Sequence, residues 1–311
     1  MEQEIIDAIP LSLIEAELTE ERFLRDTNKG GNKIYIVDAF NSPNIMKEIG
    51  RLREIAFRTG GGGTGKDCDI DEFDTMENPC QQLIVWDPDA KLILGGYRFI
   101  TGKNIKISSS GVPHIATSHL FNFSPQFLND YLPYTLELGR SFVRLEYQSS
   151  KAGAKALYAL DNLWDGLGAL TVVHPEIKYY FGKVTMYPSY PECCRNMILY
   201  FLHKYFPDND NLVTPINQLE TNTNTSDMEN LFVGGCYKED YKILNQTIRE
   251  CGHNIPPLVN AYMNLSPSMK MFGTAINDEF GDVEESGILI TIDDIFEDKK
   301  QRHIDTFIES H

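Results

Sequence analysis

The stretch "YTLELGRSFVRLEY", Tyr134 to Tyr147, leads into the small-residue loop Ser149-Ser150-Lys151-Ala152-Gly153 and then into "AKALYALDNLWDGLGAL" from Ala154. The first segment reads as a β-strand. The last has helical periodicity, with Leu157, Leu160, Leu163, Trp164 and Leu167 on one side. On a regular strand Glu137 and Gly139 share one face while Leu136, Leu138 and Arg140 share the other, unless a bulge shifts the register. The loop opens a helix, where unpaired backbone N–H groups and the helix dipole favour an anion. Strand, small loop and helix in this order can hold a phosphate-bearing pantetheine arm.

Upstream, "NKIYIVDAF" (Asn32 to Phe40) reads as a strand. "SPNIMKEIGRLREIAFRTG" reads as a helix with Ser42 as N-cap and Pro43 at its first position; Ile45, Ile49, Leu52 and Ala56 form its buried face. "QQLIVWD" and "DPDAKLILGGYRFITG" make a hairpin across an Asp-Pro-Asp turn. Downstream come a strand "YYFGKVTMY", a helix "PECCRNMILYFLHKYF", a polar surface insertion over about 207–250, a helix "NIPPLVNAYMNL", the strand pair "SMKMFGTAINDEF" and "ESGILITIDDI", and a charged tail over 293–311. Strands and helices mixed throughout predict an α/β (α+β) layer structure, with residues 1–311 as a single domain.

The chain has 311 residues, 42% of them hydrophobic, which suits a globular core. It contains no run of about 18 apolar residues, and its N-terminus lacks the pattern of a signal peptide, so a cytoplasmic location is expected. A formal charge of −17 argues against nucleic-acid binding and leaves at most peripheral contact with anionic membranes. The charge is uneven: Arg140 to Lys204 carries eight Lys/Arg against five Asp/Glu, a basic island in an acidic chain. Six cysteines without a C-x-x-C pair are expected to be free thiols and offer no metal ligand set.

Two tempting motifs fail. "GGGGTGK" (Gly60 to Lys66) has phosphate-loop spacing, but a helix precedes it and Asp67 follows the lysine, where a Ser or Thr is needed. Asp67, Asp69 and Asp71 fit the first positions of a calcium loop, yet Glu72 and Asn78 stand where Gly and Glu are required. No G-x-S-x-G elbow is present, and Cys194 and its neighbour Cys193 lie on an apolar helix where inert thiols are usual.

"ELGRSFV" (Glu137 to Val143) resembles the hallmark strand of the ornithine-lipid type acyl-carrier-protein N-acyltransferases, relatives of acyl-homoserine-lactone synthases within the GNAT superfamily. "RLREIAF" with Arg53 and Phe57, "DIDEFD" with Asp71 and Asp74, and "GGYRF" with Arg98 follow that pattern in order, and the closing "PPLVNAYMNLSPSMKMFGTAINDEF" is similar too. "YYFGKVTMYPSYP" resembles the subgroup that makes N-acyl glycine from 3-hydroxyacyl carrier protein. The glycines at 60–63 depart from the synthases' Trp, which speaks against S-adenosylmethionine.

The resemblance implies a GNAT-like acyltransferase fold whose sheet splays in mid-strand around an acyl thioester. No cofactor is bound; acyl-phosphopantetheine, on acyl carrier protein or coenzyme A, is the co-substrate, and the partners are the carrier and a small amino acid. Glu137 is the candidate base, with an ion pair to Arg98 or Arg140 as the structural alternative. Arg53, Phe57, Asp71, Asp74, Arg98 and Arg140 are candidates for the amino-acid site, Ser149 to Gly153 for the phosphate loop, and Arg144, Lys151, Lys155 and Arg195 for carrier docking. The glycine run becomes a lid over the acceptor. Two other readings stay open: a coenzyme A-dependent GNAT acting on another amine such as ornithine, and a silent GNAT-like module that binds a lipid or a protein.

Overall fold

The computed structural model describes residues 2–148 and 154–309, with backbone only for 154–157. In chain order it contains α1 (Leu11–Glu17), β1 (Phe23–Asp26), β2 (Lys33–Val37), α2 (Pro43–Gly60), α3 (Glu72–Thr75), β3 (Gln81–Asp87), β4 (Leu92–Thr101), β5 (Phe121–Phe123), β6 (Thr135–Val143) and α4 (Ala154–Val173). There follow β7 (Tyr179–Met186), α5 (Glu192–Tyr205), β8 (Val213–Pro215), α6 (Thr225–Leu231), α7 (Tyr237–Glu250), α8 (Pro257–Met263), β9 (Lys270–Asn277), β10 (Val283–Thr291), α9 (Glu297–Lys300) and α10 (Thr306–Ile308). Eight strands form one mixed sheet in the order β1-β2-β3-β4-β6-β7-β10-β9; β5 and β8 pair separately. Among the described strands only β6 and β7 run parallel, with α4 as the crossover between them.

Strand alternation divides the core. Leu83 and Val85 of β3 join the large cluster under α4, α5, α7 and α8, while Ile84 and Trp86 point to the other face, against α2. That second face carries two apolar clusters. One is built on Ile45, Ile49, Leu52 and Phe57 of α2, the other on Ile100, Phe127, Phe181 and Phe272. Between them lies a buried polar zone, in which Gln82 of β3 stands opposite Arg98 of β4.

Several expectations are corrected. Ser42 does occupy the N-cap of α2 but makes no capping hydrogen bond. The Glu17 carboxylate accepts from the Asn44 and Ile45 amides instead, which supplies the cap from a distant helix. The stretch 207–250 is not a surface excursion throughout: α7 buries Asp240, Leu244 and Ile248, and Asp240 accepts from Lys204 and Tyr205 of α5. The tail is docked over its described residues 293–309, with His303 Nδ1 2.7 Å from Asp165 of α4 and Phe307 buried. Helix α5 packs into the core, in keeping with its apolar sequence, and none of its residues lines the cleft described below.

The glycine run is a tied loop rather than a lid. Gly61, left-handed at φ +95°, caps α2, and the buried Glu54 carboxylate accepts from the Thr64 and Gly65 amides, the Thr64 hydroxyl and Arg58. A side chain at Gly60 would collide with the Tyr187 ring, its Cβ lying 2.8 Å from the nearest ring atom. Close packing, not freedom of movement, explains glycine there.

Candidate active site

Strands β6 and β7 pair from Thr135↔Tyr179 to Leu138↔Gly182 and then part, although β6 continues to Val143 and β7 to Met186. Gly182 permits the last contact, because a Cβ there would lie 2.5 Å from the Leu138 carbonyl oxygen. A cavity of about 460 Å³ opens where the strands separate. Its wall takes consecutive residues, Tyr180 to Lys183, which point to opposite faces, so the cavity passes through the sheet. One side is apolar, with Leu138, Tyr97, Tyr262, Ile288 and Ile290; the other carries Arg140, Lys183, Glu285 and Phe280.

Residue Arg140 reaches that polar side because of a bulge. Gly96 pairs with Phe142 but Arg98 pairs with Gly139, which leaves Arg140 and Ser141 of β6 opposite Tyr97 alone, and Arg140 adopts φ +47°. Strict alternation would place Arg140 with Leu136 and Leu138. The extra residue turns it toward α2 and sets its guanidinium 4.4 Å from the Phe280 ring centroid. A second, open cavity of about 1090 Å³ lies beyond, lined by Asp71, Phe73, His114 and His119, and Arg140 and Phe280 border both cavities.

Three arginines and three aspartates interlock behind this border. Arg53 of α2 donates to Asp69 at 2.9 Å and to Asp74 at 3.0 Å; Arg98 of β4 donates to Asp71 at 2.6 and 2.7 Å; Arg140 donates through Nε to Asp69 at 2.9 Å. Locally, "DEFD" is a capping box: Asp71 caps α3 through the Phe73 and Asp74 amides, and Asp74 accepts from the Asp71 amide. Burial would raise the pKa of Asp69 and Asp74, but the guanidiniums outweigh it and hold both carboxyls below the ordinary range.

Glu137 is 2% exposed on the same face, yet makes no hydrogen bond or ion pair among the described residues. Burial raises its pKa above the usual carboxylate value, against the opposing pull of Arg98 and Lys183. The ion-pair staple to Arg98 or Arg140 is therefore not formed; both arginines are committed to aspartates. Lys183, enclosed beside the cavity, pairs with Glu285, which also accepts from Asn277 and Thr185. Burial lowers the Lys183 pKa, with Glu285 opposing.

The candidate residues thus divide by position. Arg140 and Phe57 line the cleft and Asp71 lines the outer cavity. Arg53 and Asp74 are wholly enclosed, and neither they, Arg98 nor Glu137 line either cavity. Arg195 is corrected as a docking residue: it is buried and paired with Glu284 and Glu192, so it presents no positive charge to a partner. Arg144 pairs with Glu146 at 3.2 Å. The loop Ser149, Ser150, Lys151, Ala152 and Gly153 lies outside the described residues, as does the side chain of Lys155.

Sequence reading weighed Asp69 only as a calcium ligand and passed over Lys183 and Glu285 as site residues. A signal existed for the last two, since alternation in "YYFGKVTM" places Lys183 on the face of buried Phe181, and an inward lysine requires a partner.

A family model described as an acetyltransferase (GNAT) domain matches residues 52–158, the segment from the second half of α2 through β6 into α4. A glycine N(alpha)-acyltransferase of Bacteroides thetaiotaomicron is 63% identical over 309 residues, 99% of this chain and 92% of that one. A second, from Phocaeicola vulgatus, is 61% identical over 309 residues, 99% of this chain and 95% of that one. Among solved structures, the CoA-dependent acyl-homoserine lactone synthase BjaI with SAM and isopentyl-CoA is similar at a TM-score of 0.38 and 12% identity, over 89% of this chain and 90% of that one.

Proposed function

Because this chain belongs to the family of these glycine N(alpha)-acyltransferases and is an amide-forming acyltransferase of the GNAT type, we propose that its acceptor is glycine and its donor a (3-hydroxy)fatty acyl thioester on acyl carrier protein, in aminolipid synthesis. The observation that carries this reading is the cleft through the sheet, apolar on one side and charged on the other, with Arg140 at the junction of the two cavities. The acyl chain and its thioester fill the apolar side. Glycine enters from the outer cavity, and Arg140, whose Nη1 has no hydrogen-bond partner among the described residues, holds its carboxylate.

The ammonium of glycine must lose a proton before nitrogen attacks the thioester carbonyl. Glu137, with its raised pKa, accepts that proton through a water. The C–N bond forms, Lys183 stabilises the developing oxyanion, the nitrogen gives its second proton to solvent water as the C–S bond breaks, and Glu137 returns its proton to the departing thiolate.

The test is turnover of purified protein with 3-hydroxyacyl carrier protein or the matching acyl-coenzyme A, and with glycine or ornithine, read by mass spectrometry. N-acylglycine formed faster from the carrier supports the proposal. Product from ornithine but not glycine would overturn the acceptor, and preference for coenzyme A would overturn the donor. New N-acylglycine lipids in cells expressing the wild type but not Glu137→Gln would place the product in lipid synthesis; their absence would remove that role.

A further inference from the structure

Cys193 and Cys194 are the second and third residues of α5, and Cys251 directly follows α7. Their sulfurs all lie within 4.8 Å of one another, with Cys193 Sγ 4.0 Å from Cys194 Sγ. A thiolate cage with metal–sulfur bonds of about 2.3 Å needs its sulfurs roughly 3.8–4 Å apart, so closing this one takes shifts below about 1 Å. Cys194 is buried, whereas Cys193 and Cys251 are exposed, which leaves an entry path and an open coordination position.

Three thiols this close resist ionising one by one. A bound cation removes that obstacle by replacing the protons and neutralising the thiolates together, and the α5 N-terminus adds favourable partial charge on two of them.

The cluster also stands where anchoring matters. Tyr187, Ser189 and Tyr190, just before α5, form one part of the cleft rim, and His253, Asn254 and Pro256, just after Cys251, form the adjoining part. The two segments meet through the Tyr190 hydroxyl, which donates to the Asn254 carbonyl at 3.0 Å, and through the Tyr190 and His253 rings, 6.0 Å apart. An ion held by Cys193, Cys194 and Cys251 ties the ends of α5 and α7 together and fixes both parts of the rim.

We propose that Cys193, Cys194 and Cys251 form a binding site for a soft d10 cation, Zn²⁺ or Cu⁺, that clamps the outer rim of the acyl cleft. Binding releases the three thiol protons to solvent and involves no oxidation. Sequence spacing conceals the site because Cys251 lies far along the chain from the adjacent pair.

The test uses full-length protein, reduced and anaerobic, titrated separately with Zn²⁺ and with Cu⁺ against chromogenic chelators. About one equivalent should bind with release of up to three protons. Cys193→Ser and Cys251→Ser should lose that binding, while Cys236→Ser, an exposed cysteine outside the cluster, should keep it. Saturating ion should raise the Tm of the wild type and leave that of Cys251→Ser unchanged, which separates a lost ligand from a misfolded variant. Equal binding by wild type and Cys251→Ser, no binding of either ion, or recovery of these cysteines only as a disulfide would each overturn the proposal. None of these readouts depends on which acyl acceptor is used.

Discussion

Glu137 stands in an environment that disfavours its charge, and that cost is the clue to its use. Burial raises its pKa, so in the window between the unfolded carboxyl value and the raised folded one the native state holds the extra proton. Its stability contribution is present below the unfolded pKa and is lost as pH rises through the folded one. Glu137→Gln should therefore raise Tm at pH 7.5 and lose that advantage towards pH 4. It should also lower kcat/KM by about 10²–10⁴-fold and abolish the acid limb of the pH profile, which in the wild type lies above the ordinary carboxylate range. A variant that is less stable at neutral pH and keeps the acid limb would make Glu137 a structural residue. Arg53 poses the opposite case. Wholly enclosed between Asp69 and Asp74, it neutralises carboxylates that burial alone would protonate. Arg53→Met should cost about 3–5 kcal/mol in urea unfolding, because it strands buried charge. A loss below about 1 kcal/mol would show that the network relaxes around the gap.

At the scale of elements, the helix and strand pattern around β6 was legible because periodicities of 3.6 and 2 state which side is apolar. The bulge at Arg140 was not legible. Nothing in "ELGRSFV" reveals that one residue has no counterpart in β4, and that single insertion decides whether the arginine faces the large core or the cleft. Helix α7 was obscured by the polar residues before it and by Asp240, which is buried because Lys204, Tyr205 and the Gly234 amide supply its partners. The capping box at Asp71 and Asp74 was not read from the sequence, and the same carboxylates also bind arginines distant in sequence, which only the fold brings together. Gly139 offers a direct probe of the split between β6 and β7. A Cβ there meets nothing within 4 Å, and the residue lines the cleft. Gly139 pairs with Arg98, so a side chain there points to the charged side. Gly139→Leu should fold with a Tm near that of the wild type and lose at least about tenfold in kcat/KM with every acyl donor, mainly through a higher KM for glycine. Losses confined to long donors, measured across an acyl series, would put the acyl chain on that side instead.

For the whole molecule, much of the basic island in the linear sequence is engaged in internal contacts. Arg140 is paired with Asp69 and Asp71, Lys183 with Glu285, Arg195 with Glu284, and Lys204 with Asp240; these acids lie outside the island. With Arg144 on Glu146, five of the eight basic charges have acidic partners among the described residues, and the formal charge of −17 acts at long range. An acidic carrier protein approaching such a surface is repelled across a Debye length of about 30 Å at 0.01 M salt and about 8 Å at 0.15 M. Adding salt across that range should therefore raise kcat/KM with an acyl carrier protein, while a neutral acyl-pantetheine donor shows no change. A steady fall with salt for the carrier alone would mean that Arg144, Lys151 and Lys155 gather into a docking patch strong enough to outweigh the rest of the protein. Reversing Lys151 and Lys155 to Glu should then abolish the fall and leave the pantetheine donor untouched; in the repulsion-governed case, the same reversal should steepen the rise. The sign of one salt titration thus decides whether encounter with the carrier is guided by a patch or limited by the charge of the whole chain.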